Sequence, residues 1–348
     1  MKKINITISI LLLLTLFGFS FITQESVVNE RKTNFFREYD QYLEISEKAY
    51  LIPALKEEFI PQGMAFIPEK DWVVISYYQE KGPSILSFLN AETGELIKAI
   101  ALLNEDGTEY TGHAGGIAIS KNNLWISSGG FIRQIPLDTI LSASDGDEIR
   151  IIDKYNTGTR ASFMQHNKGV LWIGEFFHAN NYLTDRSHYV KRDDGYTNHS
   201  WMVGLKLDEK TDLPVMANED KQKPLTPDYI ISLPDIVQGA AFSENSNICL
   251  SLSYGRTNDS RLLIFEDVLS KEPDKTVSVN LKATPLWVLN LQNQICEFKA
   301  LPMSEGIFIQ DGLLYILYES AAKKYRMTTK YATDFVWKVP FNDICSIK

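Results

Sequence analysis

Gln62, His113, Arg160, Gln238 and Glu305 occupy the same place in five similar stretches of the chain, each just ahead of a run of small and apolar residues; in the second stretch Gly112 shares that place with His113. Strand starts usually carry turn residues such as glycine, asparagine or aspartate, whereas these are mostly long donors and acceptors able to reach a shared centre. A second set recurs at the end of the following apolar run: Tyr77 and Tyr78, Ser127 and Ser128, Glu175, Tyr254 with Arg256, and Glu319 with Ser320. Brought together, cationic or imidazole groups and carboxylates suit a polar ligand, a sugar or a small anionic molecule such as a phosphate ester. Glu305 with Glu175 or His113 would also supply an acid and a base for hydrolysis, and two carboxylates flanking a glycosidic bond would serve a glycosidase. The alternative is structural, with the same groups bonded to the backbone of neighbouring repeats.

The elements that must position these residues are read from the repeat itself. GHAGGIAISKNNLWISS from Gly112 pairs a glycine-bearing apolar strand with a second apolar strand across a polar turn. The same pattern recurs as QGMAFIPEKDWVVISYY from Gln62, ASFMQHNKGVLWIGEF from Ala161, QGAAFSENSNICLSLSYGR from Gln238 and SEGIFIQDGLLYILYES from Ser304. The first unit continues into two further strands, Ser84 to Leu89 and Leu96 to Leu102, which makes four antiparallel strands per unit. Repeated units of that kind predict an all-β chain, a β-propeller of five four-stranded blades. Six blades is the alternative, with a degenerate blade in 26–58 or 208–236; a two-sheet sandwich would not repeat the pattern. In a propeller the innermost strands line a central channel. The start of an inner strand and the end of its hairpin partner lie at one end. This places Gln62, His113, Arg160, Glu175, Gln238, Arg256, Glu305 and Glu319 around one rim, with Tyr77 and Tyr254 as walls.

Ser304-Glu305-Gly306 and Gln238-Gly239 resemble the start-of-blade signature of gluconolactonase and strictosidine-synthase-like propellers. The resemblance implies a divalent metal, Ca²⁺, at Glu305, and hydrolysis of the lactonase or phosphoesterase type. Where that family takes Asn and Asp ligands from other blades, this chain has Gln and His. The expectation is therefore a binding propeller, with the metal-dependent hydrolase as its alternative.

Residues 177–200 interrupt the third unit with a polar insertion that lacks a strand period. His178, His188 and His199 lie there with Asp185, Asp193 and Asp194, a set that could ligate zinc or supply a base, or form a solvated loop capping the pocket. Lys323-Lys324-Tyr325-Arg326 reads as a solvated basic turn. No G-x-S-x-G elbow, P-loop or H-E-x-x-H occurs.

Lys2 and Lys3 precede an uncharged run from Ile4 to Ile22, the pattern of an export signal or an N-terminal membrane anchor helix over residues 1–25. Either fate puts the remainder outside the cytoplasm, secreted or held to the membrane by this segment. Residues 26–52 read as a polar tether that ends in a short helix or an outer strand, its aromatic residues packed on the domain. The propeller then occupies 53–348. With 348 residues, 44 % of them hydrophobic, the chain can bury a large core, and a net charge of -9 argues against nucleic acid as a partner. The expected partner is a polar small molecule or a cell-envelope component, bound by a monomer. Cys249 sits in an apolar strand and is expected as a buried free thiol, and a Cys296–Cys345 bridge stays open.

Overall fold

Tight polar turns fold each pair of apolar runs into an antiparallel hairpin. At Lys168-Gly169 and Asp311-Gly312 both turn residues have positive φ, 49° and 76° in the first and 51° and 74° in the second. This is the backbone a two-residue hairpin needs to match strand twist. The computed structural model describes residues 22–28, 37–215 and 220–346, and its strands form five blades.

The first blade is Ile60–Ile67, Trp72–Tyr78, Ile85–Asn90 and Leu96–Leu103, from the centre outward, with Glu148–Arg150 added parallel to the outer strand. The second is Gly116–Ile119, Asn123–Ser128, Phe131–Pro136 and Asp153–Asn156. The third is Phe163–Asn167, Val170–Gly174, Ser200–Lys206 and Tyr229–Leu233; a later hairpin, Lys275–Val279 with Lys282–Val288, extends its outer edge. The fourth is Val237–Phe242, Ile248–Leu252, Ser260–Phe265 and Gln294–Ala300.

The fifth blade takes Ser304–Gln310, Leu313–Tyr318 and Phe335–Pro340 from the C-terminal part of the chain and its outer strand, Glu47–Leu51, from the N-terminal part. The short helix and the outer strand expected at the end of residues 26–52 are both present, as Asp40–Ile45 and Glu47–Leu51, and the strand is part of the fifth blade. An edge left open on the last blade would expose unpaired backbone and apolar surface, and this strand covers both. Tyr39 and Tyr42, in the turn and helix ahead of it, are buried in the seam between the fourth and fifth blades. Residues 22–28 dock as well: Gln24 donates to the carbonyls of Leu51 and Gly94 and accepts from Leu96 N. Asp334 accepts from Ser26 Oγ and from the amides of Val27 and Val28. The region 208–236 holds the outer strand of the third blade rather than a sixth blade. Of the export or anchor segment read over residues 1–25, residues 1–21 lie outside the described residues, and no described helix is long and apolar enough to cross a membrane.

Each blade buries both faces against its neighbours, so the apolar core divides into seams. Leu86, Phe88 and Ile100 of the first blade meet Ile117, Leu124 and Ile126 of the second. Phe308, Leu317 and Val336 of the fifth meet Met64, Val73 and Ile75 of the first, which completes the circle. Cys249 is a buried free thiol, and Cys296 on the fourth blade bridges to Cys345 near the C-terminus with Cα atoms 5.6 Å apart.

Around the axis the inner strands pack backbone against backbone. A Cβ on Gly116 would stand 2.5 Å from Met164 N and 2.7 Å from Phe163 Cα, and one on Gly306 would stand 2.8 Å from Met64 N. Only glycine allows this approach. The axis there retains a void of only about 10 Å³, so the channel is plugged. Gly116→Ala must push two backbones apart and is expected to cost about 2 kcal/mol, within the usual range for overpacking. Urea unfolding of the variant beside the parent would measure it.

Candidate functional site

Above the glycine plug the five inner strands open into a cup of about 650 Å³. Gln62 and Tyr78 come from the first blade, His113 and Ser128 from the second, Arg160 and Phe176 from the third, Gln238, Tyr254 and Arg256 from the fourth, and Glu305 and Glu319 from the fifth. Both recurring positions, the start of the inner strand and the end of its partner, therefore deliver side chains to one mouth. Hairpin geometry alone explains why.

A hydrogen-bonded chain crosses this cup. His113 Nε2 lies 2.5 Å from Gln62 Oε1, and Gln62 Nε2 donates to Glu319 Oε2 at 3.2 Å. The Glu319 and Glu305 carboxyls bond to each other, and Gln238 Nε2 donates to Glu305 Oε1 at 3.1 Å. Four blades are linked in this way. Glu305 is buried and Glu319 half-buried. Burial raises the pKa of both carboxyls, and at Glu305 the neighbouring carboxylate raises it further. The pair thus retains a proton where isolated carboxyls would have lost theirs. Depth in the cup, with Lys324 near, holds His113 below the ordinary histidine value, so its ring is neutral near pH 7.

The walls are aromatic. Tyr78 packs over His113 with centroids 3.8 Å apart, and its hydroxyl is 3.3 Å from that of Tyr325. Tyr254 is stacked on His178 at 3.8 Å and is held by Asn181 Nδ2 at 2.7 Å. At the mouth Arg256 stands over the Tyr325 ring and donates to Thr328 Oγ1, while Arg160 donates to the Leu183 carbonyl and stands over Tyr182.

Two expected residues sit elsewhere. Tyr77 is fully buried in the seam of the fifth and first blades with its hydroxyl on Ser87, because successive strand residues face opposite ways. Tyr78 takes the wall position instead. Glu175 is 1 % exposed and acts as a clamp. It accepts from Arg160 N, Trp201 N and His188 Nδ1, at 3.1, 3.0 and 2.8 Å, and so ties the insertion to the third blade. A Glu305–Glu175 acid and base pair is not assembled. The other two insertion histidines also have separate partners, Tyr254 for His178 and Asp235 for His199, and no group of three or more metal-ligating side chains occurs among the described residues. Tyr325 does not belong to a solvated turn; it lines the cup. Its position rests on a fold of the 319–334 loop that no local pattern announces. Tyr78 was legible as the neighbour of Tyr77.

Calcium takes six to eight oxygens. Here two carboxyls hold each other and both glutamine amides turn N–H groups toward them, while the Gln62 carbonyl is engaged by His113. That donor set does not fit the ion.

No protein-family model and no curated protein matches the chain. Three β-propellers are among the solved structures it is similar to. The PQQ-bound aldose sugar dehydrogenase of Streptomyces coelicolor shares 13 % identity, with 78 % of this chain and 76 % of that one covered at a TM-score of 0.39. A gluconolactonase of Xanthomonas campestris shares 10 %, with 85 % and 89 % covered at 0.36. BamB of Moraxella catarrhalis shares 11 %, with 80 % and 84 % covered at 0.32.

The carboxyl pair sets a pH dependence of stability. A folded-state pKa above the unfolded value contributes stability that is present at low pH and lost as pH rises toward the folded value. For Glu319 that window runs from the usual 4.5 to about 8. Glu305→Gln removes the second ionisable group, so its melting temperature is expected to fall less across this window than that of the parent. Thermal melts in matched buffers would show the difference.

Proposed function

We propose that this chain acts outside the cytoplasm as a propeller that holds a small polar ligand, free or part of a cell-envelope component, in its central cup. One observation carries the reading: polar groups from all five blades converge on a cup of about 650 Å³ that is plugged below, a size in the range of small-molecule sites. Aromatic walls offer flat faces to a ligand, and the amide, hydroxyl and carboxyl groups at the floor offer directional bonds. Binding without turnover is favoured because two of the three acid and base candidates, Glu175 and His113, hold partners of their own. Glu175 serves the insertion and His113 bonds an amide, whereas general catalysis needs groups free to reach a reacting atom.

The apolar run behind Lys2 and Lys3 supports export, with the run cleaved or kept as a tether, and the Cys296–Cys345 bridge suits an oxidising compartment. The intact exported protein is expected to titrate as one free thiol, Cys249, after denaturation. Reduction is expected to lower stability by about 2–4 kcal/mol. Three free thiols in the native product would count against an oxidising location.

Binding is tested by a thermal-shift survey of sugars, amino acids and phosphate esters with the parent, Tyr254→Ala and Arg256→Gln. A ligand at about 100 times its dissociation constant adds about 2.7 kcal/mol, a visible shift. The shift is expected to shrink in both variants. A shift of equal size in both would place the ligand outside the cup.

A further inference from the structure

Resting on the ligand-binding reading, we infer that the ligand is a small organic zwitterion, its ammonium group set on the Glu305–Glu319 floor and its anionic group at Arg256 and Arg160. The cup is electrically polarised along its depth. Glu305 is buried and Glu319 half-buried, whereas Arg160 and Arg256 are exposed at the mouth.

The floor lacks a cation of its own. Glu305 and Glu319 are bonded to two neutral amides and to each other. Of the cations nearby, Lys324 pairs with Glu80, and Arg256 lies at the mouth, where its one bond is to Thr328. Buried carboxylates whose counter-charges lie at a distance are costly, and a shared proton is a local remedy. An ammonium group can replace that proton. It brings three donors, and the carboxyl oxygens retain lone pairs beyond those the amides use.

The walls select the kind of cation. Tyr78, Tyr254, Tyr325 and Phe176 line the cup, and aromatic rings attract organic ammonium groups. A metal ion would need oxygens where these rings stand.

The mouth supplies the opposite end. Among the described residues neither the Arg160 nor the Arg256 guanidinium has a carboxylate partner; each bonds one neutral oxygen and stands over a tyrosine ring. A guanidinium so placed keeps donors for a carboxylate or phosphate. A neutral sugar would answer the hydrogen bonds of the cup but neither of its charges.

The test is calorimetric titration of the whole mature protein at neutral pH. The probes are the common amino acids, glycylglycine, glucosamine 6-phosphate and phosphoethanolamine, each beside its N-acetylated form, with glucose and CaCl₂ as further arms. At least one zwitterion is expected to bind, and N-acetylation is expected to weaken it about tenfold or more, the usual scale of a lost charged hydrogen bond. Glu305→Gln and Arg256→Gln should each weaken the same probe. The N-acetyl comparison uses unaltered protein, so it holds even where a variant folds poorly. No zwitterion binding, or equal binding of the acetylated form, overturns the inference. Glucose binding that is lost in Tyr254→Ala would overturn the zwitterion and leave the binding cup in place. Calcium binding abolished by Glu305→Gln would make the pair a metal site and overturn the inference. Zwitterion binding unchanged in Tyr254→Ala, Arg256→Gln and Glu305→Gln would overturn both readings.

Discussion

At the axis of this molecule backbone meets backbone, and a single methyl group on Gly116 has no room beside Met164 N and Phe163 Cα. Comparable contacts join Gly63 to Gly116, Gly239 to Gly306, and Gly306 to Gly63. This approach draws the inner strands of neighbouring blades together and plugs the channel. It also sets the residue ahead of each glycine at the edge of the plug, where Gln62, Gln238 and Glu305 stand. A wider axis would separate the same side chains beyond hydrogen-bond reach, and the chain of bonds from His113 to Gln238 would not form. The third blade has Phe163 where the others have glycine. Its ring packs over Gly174, where a Cβ would lie 1.9 Å from the ring, so the exception is absorbed within one hairpin.

The ring depends equally on closure. Strand Glu47–Leu51 pairs with Phe335–Pro340, so the two ends of the fold share one blade. Around it the N-terminal residues act as a seam filler: Tyr39 and Tyr42 between the fourth and fifth blades, and Gln24 and Ser26 along the edge of the fifth and first. Tyr39 donates to Asp259, which also pairs with Lys330 and Lys299, so the seam has polar as well as apolar anchors. The Cys296–Cys345 bridge adds a covalent tie between the fourth blade and the last turn.

Loops turn the plugged ring into a site. The insertion after Gly174 is held down by Glu175 and His188, and it brings Tyr182 and Leu183 to the mouth, where they engage Arg160. The 319–334 loop brings Tyr325 against Tyr78 and under Arg256. Carboxyl groups at the bottom and guanidinium groups at the top therefore reach one cup from different loops and blades. Their separation in depth gives the cup its polarity.

The repeat, the hairpins and the convergence of Gln62, His113, Arg160, Gln238, Arg256, Glu305 and Glu319 on one mouth were legible in the sequence, because each follows from local periodicity and strand direction. Tyr254 joins them as expected. What periodicity cannot carry is the facing of a residue at a strand end. Tyr77 turned into the seam that holds Val73 and Ile75, and Tyr78 into the cup, since the packing of neighbouring blades decides what each face of the strand meets. Glu175 went to the insertion because its oxygens are claimed by Arg160 N, Trp201 N and His188, partners separated from it in the chain. The Glu305–Glu319 pair, the placing of the N-terminal strand and the entry of Tyr325 also rest on contacts between distant segments. Local sequence determined the blades and the identity of the groups at their mouths; only the packed ring decided which groups meet, because hydrogen bonding and burial act between neighbours in space, whatever their distance along the chain.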